Sequence, residues 1–104
     1  MEGLKITVVI PTYKRPALLM RCMEALRQQE FSFGNFEIII ISDGEDPSTR
    51  EVLDRGVSER FPVIRYYELP LKAGPAAARN LGWVLAQAEL VAFTDDDCIP
   101  ATSW

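Results

Sequence analysis

Leu90-Val91-Ala92-Phe93-Thr94-Asp95-Asp96-Asp97 passes from an apolar run straight into three consecutive carboxylates with no base beside them. The apolar part is short enough to be a buried strand, and the acids fall where that strand would end. Adjacent aspartates repel one another, and water, hydrogen bonds or a cation must relieve the cost. Hard divalent cations prefer oxygen ligands, and Mg²⁺ is commonly held by one or two carboxylates together with phosphate oxygens. A solvated acidic turn would look the same in isolation. The rest of the chain has to decide between the two.

Outward from that strand, the chain alternates between helical and extended patterns. Residues 75–88 read as a helix with Pro75 at its first position. Its expected buried stripe is Ala77, Ala78, Leu81, Val84, Leu85 and Ala88, with small residues that would let it lie close to a sheet. Residues 71–74 are a loop, and residues 63–69 alternate imperfectly and carry Arg65 and Glu68, which suits a strand at a sheet edge. Before it comes a weak helix with Val52, Leu53 and Val57 apolar and Gly56 inside, expected against the sheet rim. Asp46 or Ser48 caps it, the latter through a capping box with Glu51. Residues 36–41 are a second buried strand ending at Ser42-Asp43-Gly44, entered through a loop at 31–35. From Pro16 the period is helical, with Leu18, Leu19, Cys22, Met23 and Leu26 opposite Arg21, Glu24 and Arg27, so Cys22 is a packing residue. Residues 4–10 form a β-branched, nearly continuous run that Pro11 is expected to stop, the pattern of a strand covered on both faces.

Such alternation predicts a Rossmann-like three-layer α/β sandwich, with a mainly parallel sheet and right-handed crossovers. With the third strand at an edge, the predicted order is 3-2-1-4, reversing direction between strands 1 and 4. Open sheets of this kind bind ligands at the carboxyl ends of the strands, beside the reversal. Pro11-Thr12-Tyr13, Ser42-Asp43-Gly44 and Asp95-Asp96-Asp97 would meet there. Carboxylates from two separate strand ends would face one cleft, which favours a ligand over a solvated turn.

Composition narrows the function further. A chain of 104 residues, 48% hydrophobic and 25% charged, fits one soluble domain with a modest core. The net charge of −4 provides no electrostatic footprint for nucleic acid or anionic lipid. No apolar run approaches the ~20 residues of a membrane span. Without a secretory leader pattern or a CxxC pair, the chain reads as cytoplasmic with its cysteines kept reduced; the inner membrane surface is a second expected location. The sequence contains no histidine, which excludes Ser-His-Asp and Cys-His catalysis and His-ligated zinc within it. The glycine-rich phosphate cradles GxGxxG and GxxxxGK[ST] are also missing. Phosphates would therefore be held by a cation on the aspartate run, helped by Arg15, Arg79 or Lys72, although Lys72 reads first as a solvated loop residue. Asp43 suits a hydrogen bond from a base or a sugar hydroxyl, and Tyr13 suits stacking on a base.

At this point the residues resemble a known family. Residues 6–16, Ile-Thr-Val-Val-Ile-Pro-Thr-Tyr-Lys-Arg-Pro, are similar to the opening motif of the family-2 glycosyltransferases, which have the GT-A fold. Residues 37–44 resemble their second strand and its acidic end, and residues 74–82 the helix before their metal motif. Thr94-Asp95-Asp96-Asp97-Cys98-Ile99-Pro100, followed by Trp104, resembles their DxD segment. The resemblance covers nearly the whole chain. It implies that residues 1–104 are a single nucleotide-sugar-binding domain, truncated before an acceptor-binding half.

Carried over position by position, the resemblance implies nucleotide contacts from Pro11, Thr12, Tyr13, Arg15, Asp43, Arg79, Asp95 and Asp96. Asp43 would take the base, and Asp95 would lie near the ribose and diphosphate. Asp95 and Asp97 would hold a divalent cation, Mg²⁺ or Mn²⁺, with Asp96 the alternative to Asp97 as main ligand. The implied reaction is inverting transfer from a nucleotide-sugar, expected to be a UDP-sugar, to a glycan, lipid-linked or protein acceptor. No catalytic residue is expected here, the general base being placed beyond Trp104. The strongly apolar fourth strand would leave an open edge, to be covered by a second copy or by the missing half. Ser42 and Glu45-Asp46 depart from the family pattern, which bears on nucleotide preference. The alternatives are a non-catalytic nucleotide-binding or interaction domain of the same fold and a sugar nucleotidyltransferase. The latter is disfavoured by the lack of a glycine-rich turn after strand 1. An aspartyl-phosphate hydrolase would carry its acids after the first strand, not the fourth.

Overall fold

The computed structural model describes residues 5–28, 36–56 and 63–97. The elements run β1 (Ile6–Thr12), α1 (Pro16–Arg27), β2 (Phe36–Ser42), α2 (Pro47–Gly56), β3 (Val63–Glu68), α3 (Pro75–Leu85) and β4 (Leu90–Phe93). Among the described residues the strands form one parallel sheet in the order β3-β2-β1-β4, as expected. The loop at 31–35, Val57, and Cys98 with the residues after it lie outside the described residues.

Side-chain parity along the strands builds the three layers. Val8, Ile10, Phe36, Ile38 and Ile40 point to one face, where they meet Leu19, Cys22, Met23 and Leu26 of α1 and Leu53 of α2. Ile39 and Ile41 point to the other, against Ala78 of α3, with Leu81 and Leu85 partly buried beside them. All of β2 is buried, whereas β3 is half-buried and lies at an edge, which explains its mixed composition. On β4, Leu90 and Phe93 are exposed, and among the described residues no strand lies along its outer edge.

Three local expectations are corrected. Pro11 does not stop β1, which continues to Thr12. The Val9 carbonyl accepts from Thr94 on the β4 side, whereas the Thr12 carbonyl accepts from Asp43 on the β2 side. Pro11 therefore turns its missing N–H toward β4, whose ladder has already ended at the Val9–Phe93 pair, so no sheet bond is lost. Next, α3 ends at Leu85 instead of Ala88. Buried Glu37 accepts from the Gln87 N–H at 2.9 Å and the Thr7 hydroxyl from the Ala88 N–H at 3.2 Å, drawing both amides out of the helix and onto the sheet. Finally, Val84 is exposed; the buried residues of α3 are Ala78 and Gly82. A methyl group on Gly82 would come within 2.3 Å of Val9 Cγ1, so bare backbone is what lets α3 approach β1.

The cap of α2 is Asp46, not Ser48. Its Oδ1 accepts the Thr49 N–H at 3.2 Å, Oδ2 accepts the Thr49 hydroxyl at 2.7 Å, and Pro47 fills the first helical position.

Candidate functional site

The carboxyl ends of β1, β2 and β4 open onto a cleft of about 350 Å³ lined by Pro11, Thr12, Tyr13, Arg15, Asp43, Lys72, Pro75, Arg79, Asp95, Asp96 and Asp97. Every candidate residue of the sequence reading is in that lining. Parallel pairing is the cause: it carries chain positions 11–15, 43 and 95–97 to the same rim, beside the reversal between β1 and β4.

Each side chain is held by a neighbouring strand end. The Thr12 hydroxyl donates to Asp96 Oδ2 at 2.7 Å across 84 residues of sequence, and Asp96 is 4% exposed. Arg15 adds an ion pair to Asp96 at 3.6 Å. Asp95 and Asp97, on either side of it, remain exposed. Arg79 on α3 reaches Asp95 Oδ1 at 3.3 Å. The chain leaves β4 at Phe93 and turns at Asp96 and Asp97, and the Thr12 hydroxyl holds the middle aspartate inward.

Asp43 is tied more firmly than its expected role required. Its Oδ1 accepts the Ala73 N–H at 2.7 Å, and both its oxygens lie 3.0 Å from the Gly74 nitrogen. It thereby fixes the loop that leads into α3, and it is itself among the residues lining the cleft. A carboxylate has about four lone-pair positions, so capacity for a ligand remains. Tyr13 packs on Gly44, whose φ of +133° suits glycine and where a Cβ would sit 3.1 Å from the ring. The ammonium groups of Lys72 and Lys14 lie 4.8 and 5.2 Å from the Tyr13 ring centroid.

Pro75 is the lining residue that the sequence does not point to, and Lys72, offered there as a phosphate helper, lies in the lining as well. Lys72 read as a solvated loop residue because nothing local distinguishes it; only the Asp43 clamp brings that loop over Tyr13. Asp46, 1% exposed and bonded to the Lys14 N–H, was read solely as a cap candidate. Asp46-Pro47, with Thr49 three residues after the aspartate, is the available signal for the cap, but nothing in the sequence points to Lys14.

The donor chemistry fits a hard divalent cation. Asp95 and Asp97 offer exposed carboxylate oxygens two positions apart. Among the described residues no group of three metal-capable side chains could hold a cation by protein ligands alone. A cation held there would take its remaining ligands from phosphate and water. Arg15, Lys72 and Arg79 ring the same space; the Arg79–Asp95 pair is exposed on both sides and costs only about 0–1 kcal/mol to exchange, whereas Arg15 rests on buried Asp96. Among the described residues no helix is long and apolar enough to cross a membrane.

Fold and cleft together define an α/β domain of the doubly wound class, with acids and cations gathered at its topological switch point. The chain belongs to glycosyl transferase family 2, whose family model matches residues 7–104. Validoxylamine A glucosyltransferase of Streptomyces hygroscopicus subsp. jinggangensis is 39% identical over 90 residues, which cover 86% of this chain and 21% of that protein. Glycosyltransferase AglE of Haloferax volcanii is 26% identical over 99 residues, covering 95% of this chain and 32% of that one. Among solved structures, the mannosyltransferase PcManGT of Pyrobaculum calidifontis, in complex with GDP-Man and Mn²⁺, superposes with a TM-score of 0.85 at 22% identity over 96% of this chain and 30% of its own. S. aureus TarS 1-349 in complex with UDP gives 0.83 at 24% identity, over 96% of this chain and 29% of its own. These likenesses show the GT-A fold. The chain spans about a fifth to a third of the length of these proteins.

Proposed function

We propose that this chain is the donor-binding part of a glycosyltransferase that takes a nucleotide-sugar, a UDP-sugar in the first instance, together with a divalent cation. The observation that carries the reading is the meeting of three strand ends in one cleft, with Asp95 and Asp97 exposed opposite Arg15, Lys72 and Arg79. Relatives named as glucosyltransferases, and fold neighbours in complex with UDP or with GDP-Man and Mn²⁺, support it.

In this reading Tyr13 and Asp43 receive the base, with Pro11 and Thr12 forming the wall beside it. Asp95 and Asp97 hold the cation, which when bound neutralises charge developing on the leaving diphosphate in an inverting transfer. Arg79 moves from its exposed pair with Asp95 to the phosphate oxygens, giving charge-assisted bonds in place of a weak surface pair, while Arg15, anchored on Asp96, lines the phosphate side. Asp96, held by Thr12, sets the direction of its two neighbours instead of ligating. The acceptor and the base that takes its proton are assigned to none of the described residues.

Titration calorimetry with UDP tests the reading. Binding is expected with Mn²⁺ present and is expected to weaken by at least about tenfold in Asp97→Ala, as loss of a charged ligand requires. A chain that takes up no UDP at millimolar concentration with Mn²⁺ would overturn it in favour of an interaction domain.

A further inference from the structure

Tyr13 and Arg15 enter the cleft from a loop whose middle residue, Lys14, has a φ of 53°. Among the described residues it is the one non-glycine residue with positive φ. A long side chain disfavours that left-handed backbone, so something else must hold it. The holder is distant in sequence: the Lys14 N–H donates to Asp46 Oδ2 at 2.6 Å. Asp46 is 1% exposed and does not line the cleft. Its other bonds, from the Thr49 N–H and hydroxyl, cap α2, and its own N–H donates to Glu68 Oε2 at 3.4 Å.

A cap alone does not require this residue, since serine or asparagine serves a helix N-terminus about as well as aspartate. In aspartate Oδ1 takes the Thr49 N–H while Oδ2 takes both the Thr49 hydroxyl and the Lys14 N–H, so the bond to the loop is additional to the cap. We propose that Asp46 is a positioning residue of the nucleotide site: it fixes the left-handed backbone at Lys14 and so presents Tyr13 and Arg15 to the donor. This rests on the donor-site reading above. Without the Lys14 bond the loop spreads over other conformations, and affinity falls by the fraction of time the competent one is lost.

Two variants of the full chain separate this role from a purely structural one. Asp46→Ser keeps an oxygen for the Thr49 N–H but is too short to reach Lys14. Asp46→Asn is isosteric but has one acceptor oxygen to share between the two. For both, the expected result is UDP affinity in Mn²⁺ lowered about tenfold, with the urea midpoint lowered by the lost buried bond but α2 still formed. Amide exchange should quicken at Lys14 while Arg50 in α2 stays protected. Unchanged affinity, or unchanged exchange at Lys14, overturns the proposal. So does an affinity loss matched by lost protection throughout α2, because the cap would then explain it. A wild-type chain that takes up no UDP overturns the donor reading instead, and the Lys14 exchange result still decides whether Asp46 holds the loop.

Discussion

Glu68, at the end of β3, gathers bonds from Arg50 Nη2 at 2.7 Å and Nε at 3.2 Å, from the Tyr66 hydroxyl at 2.8 Å and from the Asp46 N–H. The Arg50 hydrogen bonds hold its carboxyl below the ordinary glutamate range, against partial burial and with help from Tyr66. A group whose folded pKa is depressed binds protons more readily in the unfolded chain. Its stabilisation is therefore present above the ordinary pKa and is lost as pH falls through the folded value. Glu68→Gln is expected to reduce stability at about pH 7 and to converge on wild type as pH falls below the ordinary glutamate range and through the lowered folded value. Urea midpoints across that range check it, and a constant offset between the two would contradict it. Residue type alone did not reveal these attachments. Asp43, Asp95 and Asp97 were visible as acids after strands, but that Asp43 clamps Ala73 and Gly74, and that Asp96 turns inward, depends on partners 30 and 84 positions away.

Among the elements, α3 carries the most information. Its Pro75 start follows from sequence, since proline lacks the N–H that a first helical position does not use. Its end does not, because Glu37 and Thr7, on two other strands, capture the Gln87 and Ala88 amides. Its distance from the sheet is set by Gly82 against Val9. Gly82→Ala would normally favour a helix, yet here the added methyl would lie 2.3 Å from Val9 Cγ1. Overpacking of this kind costs about 1–3 kcal/mol, more than the helix-propensity gain of about 1 kcal/mol. Equilibrium denaturation should show a net loss, and Gly82→Ala with Val9→Ala should recover part of it. Arg79 sits one turn before Gly82, so a displaced α3 should also weaken UDP binding.

At the scale of the molecule, the order β3-β2-β1-β4 brings the cleft together from segments that share no local sequence. A ligand spanning those segments binds only the folded chain. At 100 times its dissociation constant it adds about 2.7 kcal/mol of stability. For a chain of this size that corresponds to about 10 °C or more in Tm. UDP with Mn²⁺ should produce that shift in thermal melts, and either alone should produce much less; equal shifts for UDP with and without Mn²⁺ would argue against a shared site. The alternation of apolar periods, the proline starts and the acids after strands are local properties, and they were enough to determine the sheet order and the rim where the cleft opens. Three features were decided only by tertiary contact: which aspartates face outward, where α3 stops, and why Lys14 adopts its backbone. Each depends on a hydrogen-bond donor and acceptor brought together by parallel strand pairing, and a chain read residue by residue has no such neighbours.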